Sequence, residues 1–251
     1  MGTRYQNYKV VYDYHTHTTY SHGKGSIEDN VKAAISAGLS GIGISDHGPG
    51  HLTYGIKRGS IPVMRREIEE LRRKYPEFRL YMSVEANLVS SGNYLDLLPD
   101  EFGDFDYVIA GYHYGVLHGR CVRNYVDEHL GIRSKALRIR NTEMTVKAIY
   151  ENPIRILTHP GDKGPFDLDE IAKACADRKT LMEINTRHTH LTLEEIRQVA
   201  KYDVQFVVSS DAHTSDRVGD VSEGIERAVR AGIDLSRIVN IKPVSEQESE
   251  K

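Results

Sequence analysis

The sequence predicts an α/β fold in which a parallel sheet carries amphipathic helices. Three observations predict it. Near-continuous apolar runs alternate with helical patterns along almost the whole chain, as buried parallel strands and their crossover helices do. Capping signals mark the starts and stops of several helices. The length, 251 residues, suits one barrel of strand–helix units. A barrel of seven or eight such units is the natural closure, with an open doubly wound sheet as the alternative. No G-x-G-x-x-G or Walker A stretch supports a nucleotide-binding sheet.

The units follow in order. VVYDYH (10–15) precedes a helix over 26–38, which Ser26 and Asp29 open as an S/T-x-x-acid box and Gly38 closes. GIGISDH (41–47) precedes a helix over 61–75. There Pro62 suits the first turn, where its missing N–H has no partner to lose. RLYMSVEANL (79–88) leads into a looser stretch. FDYVIAGYH (105–113) is followed by the least regular segment, 114–139, which reads as a lid, a substrate loop or a long connection before a helix over 140–152. IRILTHP (154–160) precedes a helix over 168–178. TLMEIN (180–185) precedes one over 192–202, opened by Thr192 with Glu195. QFVVSSDAH (205–213) precedes one over 222–232, closed by Gly232. SRIVNI (236–241) is too short to count as an eighth unit. VSEQESEK (244–251) reads as a frayed polar tail, leaving 1–243 as a single domain.

Net charge is −3 and hydrophobic residues make up 39%, enough for a sizeable core but without the basic excess of a general nucleic-acid binder. The densest basic stretch, RREIEELRRKY (65–75), interleaves acids and bases as a solvated helix face does. No apolar run approaches the ~18 residues of a membrane span, and MGTRYQNYKV lacks the apolar core of a signal peptide. A cytoplasmic protein with no membrane partner is expected. Cys121 and Cys175 form no C-x-x-C pair, so two reduced thiols are expected. Metal chemistry, if present, rests on His, Asp and Glu.

The ends of the strands carry that chemistry. The first ends in His15 and His17, with His22 just beyond. The second ends in His47, the third carries Glu85, the fourth ends in His113 and the fifth in His159. The seventh ends in Asp211 and His213. Seven of the twelve histidines therefore fall at or just past strand ends. In parallel α/β folds those ends face one crevice, where residues distant in sequence meet. Residues i and i+2 of a strand point the same way, so His15 pairs with His17 and Asp211 with His213. Imidazole with carboxylate suits Zn²⁺, Mn²⁺ or Fe²⁺ better than Ca²⁺ or Mg²⁺. The sixth strand carries Glu183 and Asn185 on one face, placed to hydrogen-bond ligands or simply to form a polar strand end.

The ordered stretches HTHTTYSHG, ISDHG, VEAN, AGYH, THPG, EIN and SSDAHT closely resemble the PHP superfamily, named for polymerase and histidinol phosphatase. ISDHGP and SDAHT look most like its stand-alone bacterial phosphatases. The resemblance implies a distorted barrel of seven strand–helix units with three divalent metal ions at the strand C-termini. It implies that His15, His17, Glu85 and Asp211 hold one metal. Glu85 would bridge to a second, held also by His113 and His159, and His22, His47 and His213 would hold the third. All nine family positions are filled. The stretch TRHTH after EIN departs from the family pattern and sets Arg187, His188 and His190 beside the mouth.

Hydrolysis of a small phosphate monoester by a metal-activated hydroxide is the expected activity, since clustered cations neutralise a dianion and lower the pKa of bound water. The expected partner is a small phosphorylated metabolite: histidinol phosphate, a nucleotide or a sugar phosphate. Asp46, His188 and His190 are candidates to protonate the leaving group. Arg187, directly after a strand, is the first candidate for phosphate, then Arg217, with Arg58 and Arg123 reaching in from longer loops. Three alternatives stand. TTYSHGKGSIEDNV also resembles PHP exonuclease domains of DNA polymerases, which act on diesters. A metal-dependent amidohydrolase also begins with H-x-H on a barrel, but wants a bridging lysine where Glu85 stands. A metal-binding domain without catalysis is the non-enzymatic reading.

Overall fold

Apolar runs become a sheet here because both their faces are covered, and the sheet fixes where the polar ends of those runs point. The computed structural model describes residues 7–118, 120–132 and 134–244; the expected tail beyond Val244 lies outside them. A short strand β1 (Tyr8–Val10) opens the chain. Seven parallel strands follow, each beside the one before it: β2 (Tyr12–Thr16), β3 (Gly41–Ile44), β4 (Arg79–Asn87), β5 (Tyr107–Gly111), β6 (Ile154–Leu157), β7 (Leu181–Asn185) and β8 (Phe206–Ser209). The first and last of these meet at their carboxyl ends. Thr16 bridges Ala212, and the His17 amide donates to the Ala212 carbonyl at 2.8 Å. Asp13 accepts from the Ser210 amide at 3.2 Å and the Gly219 amide at 2.9 Å. The sheet is thus nearly closed as a barrel. The doubtful SRIVNI segment leads into β9 (Ile241–Pro243), which pairs antiparallel with β1 instead of forming an eighth unit.

Helices cover the outside: α1 (Ile27–Ser36), α2 (Ile61–Lys74), α3 (Cys121–His129), α4 (Lys135–Glu151), α5 (Leu168–Arg178), α6 (Leu193–Val199) and α7 (Ser222–Ala231). Both expected capping boxes are present. Ser26 accepts from the Asp29 amide, Thr192 from the Glu195 amide, and each acid reaches back to the cap amide. Pro62 sits in the first turn of α2. Gly232 ends α7 with φ +79°, a left-handed conformation that costs glycine nothing. Among the described residues, no helix is long and apolar enough to cross a membrane. Cys121 and Cys175 are buried and unbridged.

The irregular segment 114–139 is the main difference from the sequence reading. It contains α3, and α4 begins at Lys135 because Ser134 caps it, accepting from the Leu137 amide at 3.2 Å. Helix α3 escaped notice because its apolar residues do not make a buried stripe: Val122 is 80% exposed and Tyr125 49%.

Strand alternation divides the core. Val108, Ala110, Met182, Ile184, Phe206 and Val208 pack in the main cluster under the helices. Ile109, Ile156, Leu181 and Val207 point the other way and form a small apolar plug inside the curl. On β7 the inward residues run Leu181, Glu183, Asn185, so the interior turns from apolar to polar toward the carboxyl end. Replacing Thr192 by alanine should cost about 1 kcal/mol of unfolding free energy in urea titration. A loss within a few tenths would mean that the α6 cap stabilises nothing.

Candidate functional site

The carboxyl ends of the strands gather buried imidazoles and carboxylates. His15 lies within β2 and His17 just beyond it, with their Nε2 atoms 3.0 Å apart. Asp211 Oδ1 is 3.1 Å from His17 Nε2 and 3.7 Å from His15 Nε2. Several of these residues sit past the strands and not in them. β3 stops at Ile44, β6 at Leu157 and β8 at Ser209, so His47, His159, Asp211 and His213 belong to the following turns. The expected strand parity of Asp211 and His213 therefore does not apply. They meet through a turn, with His213 Nδ1 3.4 Å from Asp211 Oδ1. His159 (φ +28°) and Asp211 (φ +50°) adopt left-handed backbone, a strain of order 1 kcal/mol each that clusters at functional sites.

Glu85, within β4, is the hub. Its Oε2 lies 3.4 Å from His15 Nε2 and 2.9 Å from His47 Nδ1. Its Oε1 lies 3.4 Å from His113 Nε2 and 3.0 Å from His159 Nε2, and accepts from the Thr158 hydroxyl at 2.7 Å. The His22 ring lies 4.1 Å from that of His213 and 4.8 Å from that of His47. Three overlapping groups present ligand atoms within 4.8 Å of one another: His15, His17 and Asp211; His47, Glu85 and His113; and His17, His47 and His213. All nine sequence candidates thus converge. The tightest groupings differ from the implied partition, since His17 joins His47 and His213 in the place of His22, and His47 joins Glu85 and His113.

Burial and mutual repulsion set the charge states. Burial lowers His17 and His113 well below the ordinary histidine range, and His159 also falls. Burial with the neighbouring imidazoles lowers His22 to about 3; burial is also the main cause that takes His213 to about 4. These rings are neutral at pH 7, the form that ligates metal. Burial opposes charge on His15 too, but Glu85, Glu183 and Asp211 outweigh it and raise its pKa. Burial would likewise raise Glu85 and Asp211, yet the surrounding imidazoles hold both well below the carboxylate range.

A second layer orients these groups. Glu183 faces His15 Nδ1 at 2.8 Å and accepts from the His159 amide at 2.8 Å and Asn185 Nδ2 at 2.9 Å. Asn185 Nδ2 also donates to Asp211 at 3.2 Å, and Asn87 Oδ1 faces His113 Nδ1 at 2.8 Å. Such partners fix the tautomer and the aim of an imidazole ligand. Asp46 is not at the mouth. It is buried and accepts from the Thr18 amide and hydroxyl, each at 2.7 Å, and from the Ser21 hydroxyl, so it holds the loop that carries His22.

Above the cluster opens a cavity of about 450 Å³. Arg187 lines it, with Nη1 against His213 Nδ1 and 4.0 Å from Asp211 Oδ1. His188 lines it too, held between Asp162 at 3.0 Å and Asp211 at 3.4 Å. Burial opposes its charge, but the two carboxylates win and raise it to about 9. Lys163, His51 and Tyr54 also line the cavity and were missed. Tyr54 stacks on His22 at 4.2 Å between ring centres. The signals were HGPGHLTYG, a glycine-flanked histidine and tyrosine after a ligand, and the lysine in THPGDKG. The other candidates lie elsewhere. His190 pairs with Glu195 at 2.9 Å, Arg58 with Glu101, Arg123 with Asp127 at 2.8 Å and Arg217 with Asp220 at 2.6 Å, and none lines this cavity.

The donor set fits divalent cations. His22 Nδ1, His213 Nε2 and Asp211 Oδ1 are buried and make no hydrogen bond among the described residues. Buried polar atoms seldom go unpaired, and facing imidazole lone pairs with carboxylate oxygens are what such cations bind. Residues 13–187, most of the chain and most of this site, match the family described as the PHP domain. The chain belongs to the PHP family. It is 29% identical to a probable phosphatase of Thermoanaerobacter sp. (strain X514), over 92% of this chain and 91% of that one. Two solved structures share the fold. HisK of Listeria monocytogenes has a TM-score of 0.66 at 15% identity, covering 83% of this chain and 97% of its own. Histidinol phosphate phosphatase of Lactococcus lactis, solved with zinc, L-histidinol and phosphate, has a TM-score of 0.59 at 16% identity, covering 89% and 94%.

Glu183→Gln removes the negative partner of His15 while keeping its shape. Zinc affinity measured by calorimetry should fall about 10–100-fold, the usual effect of losing such a partner. An unchanged affinity would show that Glu183 does not orient His15 for metal.

Proposed function

We propose that this protein hydrolyses a small phosphate monoester at a site of three divalent metal ions. The observation that carries the proposal is the cluster of seven imidazoles and two carboxylates, all buried but the half-buried His22 and His213, opening beneath Arg187, Lys163 and His188. His15, His17, Asp211 and Glu85 would hold one ion, Glu85, His113 and His159 a second, and His22, His47 and His213 the third. Zinc, manganese and iron suit this imidazole-rich set. Bound there, the cations would neutralise the phosphate and lower the pKa of a water molecule.

The chain's own residues supply the rest. Hydrolysis forms a phosphorus–oxygen bond to water and breaks the one to the alcohol, which must gain a proton. Arg187 and Lys163 bring positive charge to the cavity wall, where the free phosphate oxygens would lie. His188, kept protonated by Asp162 and Asp211, can donate the proton. The relative named a phosphatase and the neighbour solved with L-histidinol and phosphate support this class. Histidinol phosphate, nucleotides and sugar phosphates all fall within it.

The metal-supplied protein should turn over 4-nitrophenyl phosphate, and a chelator should abolish that turnover. His113→Ala should cut kcat/KM about 100-fold or more, as loss of a reacting-centre contact does, with the circular dichroism spectrum retained. Full activity in that variant removes His113 from the site. Hydrolysis of bis(4-nitrophenyl) phosphate or single-stranded DNA, with none of the monoester, would favour a phosphodiesterase.

A further inference from the structure

A second cavity, of about 710 Å³, adjoins the first. The two meet at Tyr114, which lines both. The wall between them is a short ribbon. His51 pairs with Val116, and the Leu52 amide donates to the Gly115 carbonyl at 2.8 Å. His51 and Gly115 face the metal-ligand cavity, while Leu52 and Val116 face the second. The far wall is the start of α3. Cys121 Sγ ties it to the His113 and Val116 carbonyls at 3.1 and 2.7 Å, so it is fixed to the same segment as a candidate ligand.

Its chemistry is one-sided. Leu52, Val116 and Leu137 make it apolar, and among the described residues no carboxylate lines it, while Arg120, Arg123 and Arg140 do. Arg123 is paired with Asp127, but Arg120 and Arg140 are exposed and make no side-chain hydrogen bond or ion pair among the described residues. Leu52 remains 63% exposed, an apolar side chain left facing solvent beside these cations. The volume falls in the range of small-molecule sites. The neighbouring space across Ser134 is different: Lys135, Arg138 and Lys163 there face four carboxylates, Asp127, Glu128, Asp162 and Glu195. Of these two adjoining spaces, only the apolar one is lined by cationic side chains without acidic ones among the described residues.

We propose that this second cavity receives the leaving-group end of the substrate and selects an elongated apolar group ending in an anion. The proposal rests on the phosphatase reading, because it takes the metal-ligand cavity as the seat of the scissile phosphate. A terminal carboxylate or a second phosphate would serve, each meeting Arg120 and Arg140 through charge-assisted hydrogen bonds.

The test uses the metal-supplied full chain and three series of alkyl phosphates of rising length. One ends in a carboxylate, one in a second phosphate and one in a neutral hydroxyl. At the length that spans the two cavities, an anionic end should lower KM about tenfold relative to the hydroxyl. Comparison of the first two series tells which anion is preferred. Arg120→Ala with Arg140→Ala should erase that advantage and leave kcat/KM on 4-nitrophenyl phosphate unchanged. Equal KM for neutral and anionic ends at every length would overturn the proposal, as would variants that weaken the short ester equally. Calorimetric binding of non-hydrolysable ω-phosphonoalkanoates reads the same preference without turnover. Discrimination there with no hydrolysis of any ester would sink the phosphatase reading and leave the anion-selective cavity. No discrimination there, with 4-nitrophenyl phosphate turned over, would sink only the cavity.

Discussion

Glu85 is the residue on which the rest of the site depends. It is a buried carboxylate within 3.4 Å of nitrogen atoms from four histidines, on strands and turns far apart in the chain. An isolated carboxylate would not stay charged at that depth. Here the imidazoles keep it ionised, and it in turn raises His15. The arrangement is self-consistent only as a cluster. Removing one member leaves the others buried with unmatched lone pairs or charge.

The barrel makes this cluster affordable. Apolar side chains fill the lower interior and the whole outer face of the sheet, so the polar groups are confined to one rim. Two of the turns at that rim are held in left-handed backbone at His159 and Asp211. Glu183, Asn185, Asn87 and Asp46 then fix the aim of ligands and ligand-bearing loops. The site's order is thus a property of the whole sheet end, with the reacting space left open above it.

Much of this was legible in the chain. Parallel strands announce themselves as apolar runs with both faces covered, and the sheet then decides that their ends share a crevice. That is why His15, Glu85, His113 and Asp211 could be gathered from sequence although more than a hundred residues separate the first from the last. Capping boxes were equally legible, being short-range hydrogen bonds between residues three apart. What stayed hidden was set by three-dimensional packing. Helix α3 leaves much of its apolar surface unburied, so periodicity gave no stripe to read. Asp46 beside His47 looked like a catalytic acid, but the turn after β3 sets it inward onto Thr18 and Ser21. The separation of the arginines into one at the mouth and three paired elsewhere depends on loops whose paths no local pattern encodes.

Elemental analysis of metal content tests the central claim most directly. Protein stripped with a chelator, resupplied in turn with zinc, manganese and iron, and freed of excess metal should retain more than one equivalent per chain, approaching three with the preferred ion. Glu85→Gln should lower that stoichiometry. Trace occupancy with every metal would contradict the account, because nothing else would explain why these buried imidazoles and carboxylates face one another.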